Sequence, residues 1–464
     1  MARPVTLSRD ALAAALRSAG VISATELAVR LKVNRTTIVR ALADLGPEVV
    51  AMGATRSTRY ALRRAIVDGV SDWPIYQIDA QGRAQAWGQI TSLWERQWRI
   101  TWAGAAPDWA GHFSNAAGLW QGFPFFLADL RPQGFLGRAL ARRLARSLPV
   151  PPNPQEWSDH HTLLFLQAAS EDLPGALVVG DACLRRALES HVFGQGNLQI
   201  AEAERCERYP EVAALAMSEP VGSSAGGEQP KFGATVLRPS GVSTPVLVKF
   251  SPPMDQTTGQ RWADLLLAEW HALRVLAAAS AGSLEPQLID AGGRRFLEVP
   301  RFDRTPEGGR RGVVSLGALH PESHGYGRSA WLEAGEVLLK QGLIEPETLQ
   351  EIRRRHAFGE LIGNTDMHTG NLAFWLEDRL PFRLAPVYDT LPMLHAPSPQ
   401  GEILPRAFQP PVPLPATMAA WQAAAPLASA FWENLANDAR LSPDFRRYAE
   451  SAIAIVNAMR RRLT

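Results

Sequence analysis

The chain has 464 residues, enough for two or three domains with a sizeable hydrophobic core. Its hydrophobic content of 46% and charged content of 20% are ordinary for a globular protein. No apolar run is long enough to cross a bilayer, the N-terminus lacks a hydrophobic signal core, and two cysteines do not make a disulfide scaffold. These features argue against the membrane and disulfide-rich classes, and we expect a cytoplasmic protein without a membrane partner.

The net charge of +2 is distributed unevenly along the chain. Residues 1–65 contain 11 Lys/Arg against 4 Asp/Glu, whereas the remainder contains 37 against 42. A basic N-terminal segment on a mildly acidic body indicates a local polyanionic partner such as nucleic acid.

The basic segment also carries strong local signals for helices. Ser23 and Asn34 are good helix caps, and each precedes an amphipathic segment, over residues 24–31 and 35–45. The following segment, 49–62, has the pattern of a hairpin. Two short helices joined by a tight turn and followed by a hairpin are typical of a winged helix-turn-helix.

We therefore predict a winged helix-turn-helix DNA-binding domain over residues 1–65. The second helix of the pair would meet base edges in the major groove, and the hairpin would contact phosphates. The predicted DNA-binding residues are Arg35, Thr36, Thr37, Arg40, Arg56 and Arg59. The alternative is a helical module whose basic face is simply solvated.

Residues 66–215 are rich in tryptophan and poor in recognisable motifs. The alternation of residues 98–102 predicts a strand, and residues 134–148 predict an arginine-rich helix. We expect the tryptophans to lie in the core and at interfaces. The arginines of the helix predict either a solvated face or an added contact with DNA or substrate; they are Arg138, Arg142, Arg143 and Arg146.

The stretch 363–372 carries the clearest chemical pattern. Asp366 precedes Asn371 by five positions, and Asp389 follows downstream. Phosphoryl transfer needs a carboxylate that orients or deprotonates the acceptor hydroxyl, together with oxygen ligands for Mg²⁺ on the nucleotide. Kinases space their catalytic Asp and metal-binding Asn as D-x-x-x-x-N. The pattern predicts Asp366 as the catalytic base and Asn371 and Asp389 as the magnesium ligands.

Two upstream segments complete this pattern in kinase order. Residues 222–232 are rich in small residues, so their backbone N–H groups can approach phosphate oxygens, although the spacing is not that of a Walker A motif. The predicted contacts in this loop are Ser224, Gly226, Gly227 and Lys231. Residues 246–250 then predict a buried strand that contains Lys249, and a buried lysine needs an anionic partner. The α- and β-phosphates and Glu269, on a predicted helix, would supply one, but Glu269 could equally lie on the surface of that helix.

This series of loop, strand lysine, D-x-x-x-x-N and later aspartate resembles the HipA family of serine/threonine kinase toxins. The fused N-terminal module resembles the YjjJ-like branch of that family. The resemblance is dense over residues 223–389 and looser on either side. It implies an α+β fold, with a winged helix-turn-helix followed by a HipA-like bilobal protein-kinase-like body. That body would contain a small β-rich subdomain (66–215), a nucleotide-binding lobe (216–310) and an all-helical catalytic lobe (311–464).

The resemblance also implies ATP and Mg²⁺ as cofactors, and DNA and a protein substrate, such as a translation component, as partners. It leaves open whether a HipB-like antitoxin is a further partner. By the same likeness, a serine of the small-residue loop would be autophosphorylated, either Ser224 or Ser223. Backbone groups near Phe302 would meet adenine. His368 would either donate a hydrogen bond to the transferred phosphate or brace its loop.

The favoured hypothesis is therefore a toxin that acts as an ATP- and Mg²⁺-dependent serine/threonine kinase. Two other hypotheses remain. The first is a DNA-binding transcriptional regulator whose kinase-like body only senses nucleotide; the intact set of Lys249, Asp366, Asn371 and Asp389 argues against it. The second is a nuclease toxin that acts on DNA, which would not need the small-residue loop and the strand lysine.

Overall fold

The computed structural model describes residues 7–54, 57–66, 69–120, 122–193, 198–218, 229–279, 285–325 and 327–463. Five residues with predicted roles lie outside these ranges: Arg56, Ser223, Ser224, Gly226 and Gly227. Within the described ranges, none of the helices combines the length and the apolar character needed to span a bilayer.

The N-terminal module consists of short helices packed beside an antiparallel sheet with strand order β1-β3-β2. Its elements are α1 (Arg9–Ala19), β1 (Ile22–Ser23), α2 (Ala24–Leu31), α3 (Arg35–Leu45), β2 (Val49–Met52) and β3 (Arg59–Leu62). Ser23 and Glu26 form a reciprocal capping box at the start of α2. The Asn34 side chain accepts a hydrogen bond from Thr37 N at the start of α3. The predicted helix pair and hairpin are confirmed.

The N-terminal module rests on the segment that follows it. Val50, Met52 and Ala61 form one buried cluster with Leu93. The guanidinium groups of Arg17 and Arg64 lie 5.5 and 5.6 Å from the centre of the Trp94 ring. Apolar burial and cation–π attraction thus join the basic module to the rest of the protein.

The middle part contains an antiparallel sheet with strand order β7-β6-β5-β4-β8, flanked by helices. Its elements are β4 (Asp72–Ile78), β5 (Ala84–Ser92), β6 (Trp98–Trp102), α4 (Ala110–Phe113), β7 (Leu119–Trp120), α5 (Phe125–Ala128), α6 (Gly134–Leu144), α7 (Asp159–Ala169), β8 (Leu177–Val179) and α8 (Asp181–Phe193). Trp73, Trp98 and Trp109 are fully buried, which confirms the expected core role of these tryptophans. Helix α6 ends at Leu144, earlier than predicted, and residues 145–147 form a turn.

A second sheet, with strand order β12-β13-β11-β10-β9, follows in the chain. The elements of this part are β9 (Gln199–Ala201), α9 (Arg205–Ser218), β10 (Lys231–Leu237), β11 (Ser243–Phe250), α10 (Thr257–Ala278), β12 (Gln287–Ala291) and β13 (Arg294–Pro300). The antiparallel register of β10 and β11 sets Lys231 opposite Lys249. Both lysines therefore lie at the same end of this sheet.

The C-terminal part is mainly helical. Its elements are β14 (Val313–Ser315), α11 (Leu316–Leu319), α12 (Ala330–Lys340), α13 (Pro346–Ile362), β15 (Ala373–Trp375), α14 (Met418–Asn437) and α15 (Pro443–Leu463). Leu265 of α10 shares a core with Phe358 and Trp432, so α10 is anchored to this helical part. The prediction of an all-helical lobe was wrong, because this part contains two paired strands. β14 pairs with β15, the strand that follows the Asp366 loop. The mixed α+β class is confirmed.

Candidate functional site

Lys249 lies at the centre of a buried ion cluster. Its Nζ donates a hydrogen bond of 2.6 Å to Glu269 Oε1 on α10 and forms an ion pair with Asp389. Burial acts against the charged ammonium, but the carboxylates of Asp389 and Glu269 outweigh it and raise the pKa of Lys249. Lys249 is therefore a fixed positive charge, as the sequence pattern predicted for a buried strand lysine.

The two carboxylates of the cluster differ electrostatically. Burial raises the pKa of Glu269 although Lys249 opposes that rise, and the Oε2 atom of Glu269 is buried without a hydrogen-bond partner in the described part of the chain. Burial also disfavours ionised Asp389, but Lys249 and Lys231 hold its pKa below the ordinary range. Asp389 has a φ of 49°, a left-handed conformation that a non-glycine residue adopts only when its surroundings hold it there.

A short loop carries Asp366 and Asn371 between α13 and β15. Gly363, with a φ of 74°, ends the helix in a left-handed turn. The Asn364 side chain accepts a hydrogen bond of 3.1 Å from Asp366 N, and Asn371 Nδ2 donates one of 2.8 Å to Asp366 O. These bonds fix the backbone of Asp366, whose side chain is exposed. Since Asn371 uses its amide nitrogen here, its amide oxygen is the atom suited to a metal.

His368 braces this loop. Its Nδ1 accepts a hydrogen bond of 3.0 Å from Gly370 N, and its carbonyl oxygen accepts one of 3.0 Å from Trp331 Nε1. An accepting Nδ1 in a neutral imidazole places the hydrogen on Nε2. His368 can thus brace the loop and still present an Nε2–H donor, so the two predicted roles are compatible.

Tyr388 connects the Asp389 segment to the same loop, a contact that sequence reasoning missed. Its hydroxyl donates a hydrogen bond of 2.6 Å to Gly370 O. Burial, reinforced by the charge of Asp389, raises the pKa of Tyr388, so the hydroxyl stays protonated and remains a donor. Tyr388 and Gly370 are 18 residues apart, and no local pattern in the sequence joins them.

Phe302 is held in place by its neighbours on both sides. Its ring lies 5.8 Å from that of Tyr388 and 5.7 Å from that of Trp375. The next residue, Asp303, pairs with Arg301 and Arg304 at 2.9 and 2.7 Å and accepts a hydrogen bond of 2.8 Å from Gly175 N. These contacts tie the Phe302 segment to the middle part of the chain.

A single cleft of about 1170 Å³ unites most of these groups. It is lined by Lys231, Lys249, Glu269, Phe302 and Asp389, and also by Gly370 and Tyr388. The volume is sufficient for a nucleotide. Among the described residues, Asp366 and Asn371 do not line the cleft. Gly370, which does line it, belongs to the same loop and directly precedes Asn371, whose side chain is hydrogen-bonded to Asp366.

The predicted DNA-binding residues lie on the surface of the N-terminal module. Arg35, Thr36 and Arg40 are exposed on α3, whereas Thr37 is partly buried and donates its hydroxyl hydrogen to Asn34 Oδ1 at 2.8 Å. Arg59 is exposed on β3, 3.8 Å from Glu26. Arg56 lies outside the described residues.

Comparison with known proteins gives two family matches. Residues 69–188 match the model of the YjjJ-like toxin middle domain, and residues 223–462 match that of the HipA-like C-terminal domain. The chain is 36% identical over 434 residues to Toxin YjjJ of Escherichia coli (strain K12). That alignment covers 93% of this chain and 94% of the relative.

Two solved structures are similar at low identity. One is from the Shewanella oneidensis MR-1 toxin–antitoxin complex of HipA, HipB and operator DNA. It has 18% sequence identity and a TM-score of 0.48, and the alignment covers 83% of this chain and 91% of the other. The second is the Helicobacter pylori proinflammatory kinase CtkA: 14% identity, TM-score 0.36, 50% of this chain and 90% of the other. Both TM-scores are too low to carry an argument, so the assignment rests on the sequence matches. Those matches span almost the whole chain, which therefore belongs to the YjjJ-like branch of the HipA toxin family.

Proposed function

We propose that this protein is a HipA-like toxin that acts as an ATP- and Mg²⁺-dependent serine/threonine protein kinase. The observation that supports it most is the contact of Lys249 with both Glu269 and Asp389 on the cleft that Gly370 also lines. A buried lysine between a helix carboxylate and a second carboxylate is the arrangement that kinases use to hold a nucleotide and its metal.

The chain offers a coherent nucleotide site. Lys231 and Lys249 would bind phosphate oxygens, with the small-residue loop Ser224, Gly226 and Gly227 covering them, and backbone groups near Phe302 would bind adenine. Asp389 supplies one ionised carboxylate and Asn371 one amide oxygen, a donor set that suits Mg²⁺ when phosphates provide further ligands. Bound magnesium would neutralise the charge that develops on the phosphates.

The residues of the loop would perform the proton chemistry. The exposed carboxylate of Asp366 would accept the proton of a serine or threonine hydroxyl. Hydrogen bonds with Asn364 and Asn371 fix the backbone of Asp366 and so position this carboxylate. The Nε2–H of His368 would donate a hydrogen bond to the transferred group. Transfer to Ser224, or to its neighbour Ser223, would place a dianion beside the nucleotide phosphates and so inactivate the enzyme.

The N-terminal module would bind DNA. The surplus of basic residues in 1–65 and the exposure of Arg35, Thr36 and Arg40 on one helix support this role, with Thr37, Arg56 and Arg59 as further contacts. A protein substrate in the cytoplasm, such as a translation component, and a HipB-like antitoxin complete the proposed set of partners. Co-purification of the full chain with cellular proteins would test whether such an antitoxin binds it.

Transfer of the γ-phosphate of radiolabelled ATP tests the proposal directly. Asp366→Asn and Asp389→Asn should each lower self-labelling and substrate labelling by about 100-fold or more, the usual contribution of a general base or of a metal ligand. Asp378→Asn is a matched control, since Asp378 is exposed and follows β15 outside the loop. If the wild type and both site variants label equally, the kinase proposal is wrong.

The same preparations separate the two rival functions. DNA binding that changes with ATP, without phosphate transfer to any protein, would favour a nucleotide-sensing regulator. Plasmid cleavage in Mg²⁺ without ATP, abolished by Asp366→Ala, would favour a nuclease. A nuclease would not need the small-residue loop and the strand lysine in kinase order, and we therefore favour the kinase.

A further inference from the structure

Helix α6 and the turn that follows it carry a run of positive charges. Residues 130–155 contain five arginines and no Asp or Glu. Arg131 pairs with Asp159 at 3.2 Å, and Arg138 also has a partner. Across the described ranges, no carboxylate pairs with Arg142, Arg143 or Arg146, whereas many other arginines of this chain are ion-paired.

One face of α6 borders the cleft. Leu136, Leu140 and Arg143 are spaced by four and three residues, so they share a helix face, and all three line the cleft. Leu136 is 41% exposed, so an apolar side chain of this face is open to a partner. Arg146 lies in the turn that follows α6 and is exposed, so it adds a positive charge just past the end of the helix.

The segment before α6 is tied to β14 through one half-buried carboxylate. Asp129, five residues before α6, accepts a hydrogen bond of 2.7 Å from Ser315 N. Ser315 of β14 is the register partner of Ala373 in β15, the strand that directly follows the loop with Asp366 and Asn371. Asp129 therefore links the segment before α6 to the strand that pairs with β15.

We propose that α6 and the turn that follows it form a docking surface for an acidic segment of the protein substrate. This inference rests on the proposed kinase function and names its substrate class. Arg142, Arg143 and Arg146 would pair with glutamates or aspartates, and Leu136 would contact an apolar residue of the same segment. An apolar contact next to the arginines, in the cleft where a serine must enter, fits a polypeptide better than it fits DNA.

A binding assay tests the surface without requiring catalysis. The probe is a fluorescein-labelled peptide with one serine and one leucine flanked by glutamates, and its counterpart has glutamines instead. Fluorescence anisotropy with the full chain, Mg²⁺ and a non-hydrolysable ATP analogue should show tighter binding of the glutamate peptide. Arg143→Gln/Arg146→Gln should weaken that binding by about 3- to 10-fold, because each exposed ion pair contributes up to about fivefold.

The double variant Arg461→Gln/Arg462→Gln is the matched control, since it removes two exposed arginines from the end of α15. It should change the affinity by less than about twofold. The proposal is overturned if the glutamine peptide binds as tightly, if both double variants weaken binding equally, or if duplex DNA binds the α6 arginines more tightly than the peptide. The proposal is also overturned if Arg143→Gln/Arg146→Gln loses as much affinity for the ATP analogue as for the glutamate peptide, because the arginines would then bind the nucleotide.

Phosphate transfer to the same peptides separates this proposal from the kinase proposal. If docking is correct, Arg143→Gln/Arg146→Gln raises KM for the glutamate peptide while self-labelling is unchanged. Charge-dependent binding without any transfer, by wild type or variant, would sink the kinase proposal and leave the docking surface standing. Phosphate transfer with no preference for the glutamate peptide would sink the docking surface and leave the kinase proposal standing.

Discussion

Replacing Lys249 with methionine would test the ion cluster on which the site depends. Lys249 is hydrogen-bonded to Glu269, and Glu269 is only 1% exposed. Removal of the ammonium leaves a buried carboxylate without its cation, which typically costs about 3–5 kcal/mol. We expect Lys249→Met to lower the free energy of unfolding by about 3 kcal/mol at neutral pH and to abolish nucleotide binding.

The loss of unfolding free energy in Lys249→Met should increase steadily as the pH rises. Burial already raises the pKa of Glu269 above its ordinary value of 4.5, and the loss of Lys249 removes the charge that opposes this rise most strongly. A carboxyl whose pKa is higher in the folded state binds more protons there, so stability falls as the pH rises from the unfolded pKa through the folded one. Lys249→Met should therefore be closest to wild type in mild acid and furthest from it at neutral pH.

Urea unfolding followed by tryptophan fluorescence measures this effect, and Lys249→Met/Glu269→Gln is its control. The double variant replaces Lys249 and Glu269 by neutral side chains of similar shape, so it should recover the stability lost at Glu269 and lose the pH dependence that comes from Glu269. Asp389 lacks its ion pair with Lys249 in both variants, so its contribution is the same in each. The double variant should still fail to bind nucleotide. If the single and double variants are equally stable at every pH, Glu269 does not need Lys249 as its partner and the reasoning is refuted.

Three further predictions concern other parts of the molecule. Tyr388→Phe removes the hydrogen bond to Gly370 O and should slow phosphate transfer by about fivefold, since such a bond contributes about 1 kcal/mol; an unchanged rate would show that the loop is held without it. Burial lowers the pKa of His395 from 6.5 to about 4, so the unfolded chain takes up a proton first and stability is lost as the pH falls through this window. Urea unfolding at successive pH values should show a loss of about 3 kcal/mol between pH 6.5 and 4 that is absent in His395→Gln. Asn34→Ala removes the α3 cap and should destabilise that helix by about 1 kcal/mol, seen as faster amide exchange in α3, whereas Asn34→Asp should not.

Local elements were predictable from the sequence where short-range chemistry decides them. The limits of α2 and α3 were predicted correctly, because Ser23 and Asn34 accept hydrogen bonds from backbone groups only three residues away. The strand around Lys249 was predictable because a run of β-branched and leucine residues favours a buried strand. The D-x-x-x-x-N spacing likewise predicted a single loop for Asp366 and Asn371, and one hydrogen bond joins them.

The tertiary structure decided which distant groups meet. Lys249 and Asp389 are 140 residues apart in the chain, and no local pattern could show that they form an ion pair. The sequence left Glu269 open between a buried and a surface position, and only the packing of α10 between the second sheet and the helical part placed it inside. Periodicity determines local geometry within a few residues, but contacts across more than a hundred residues depend on how the buried faces of separate elements fit together.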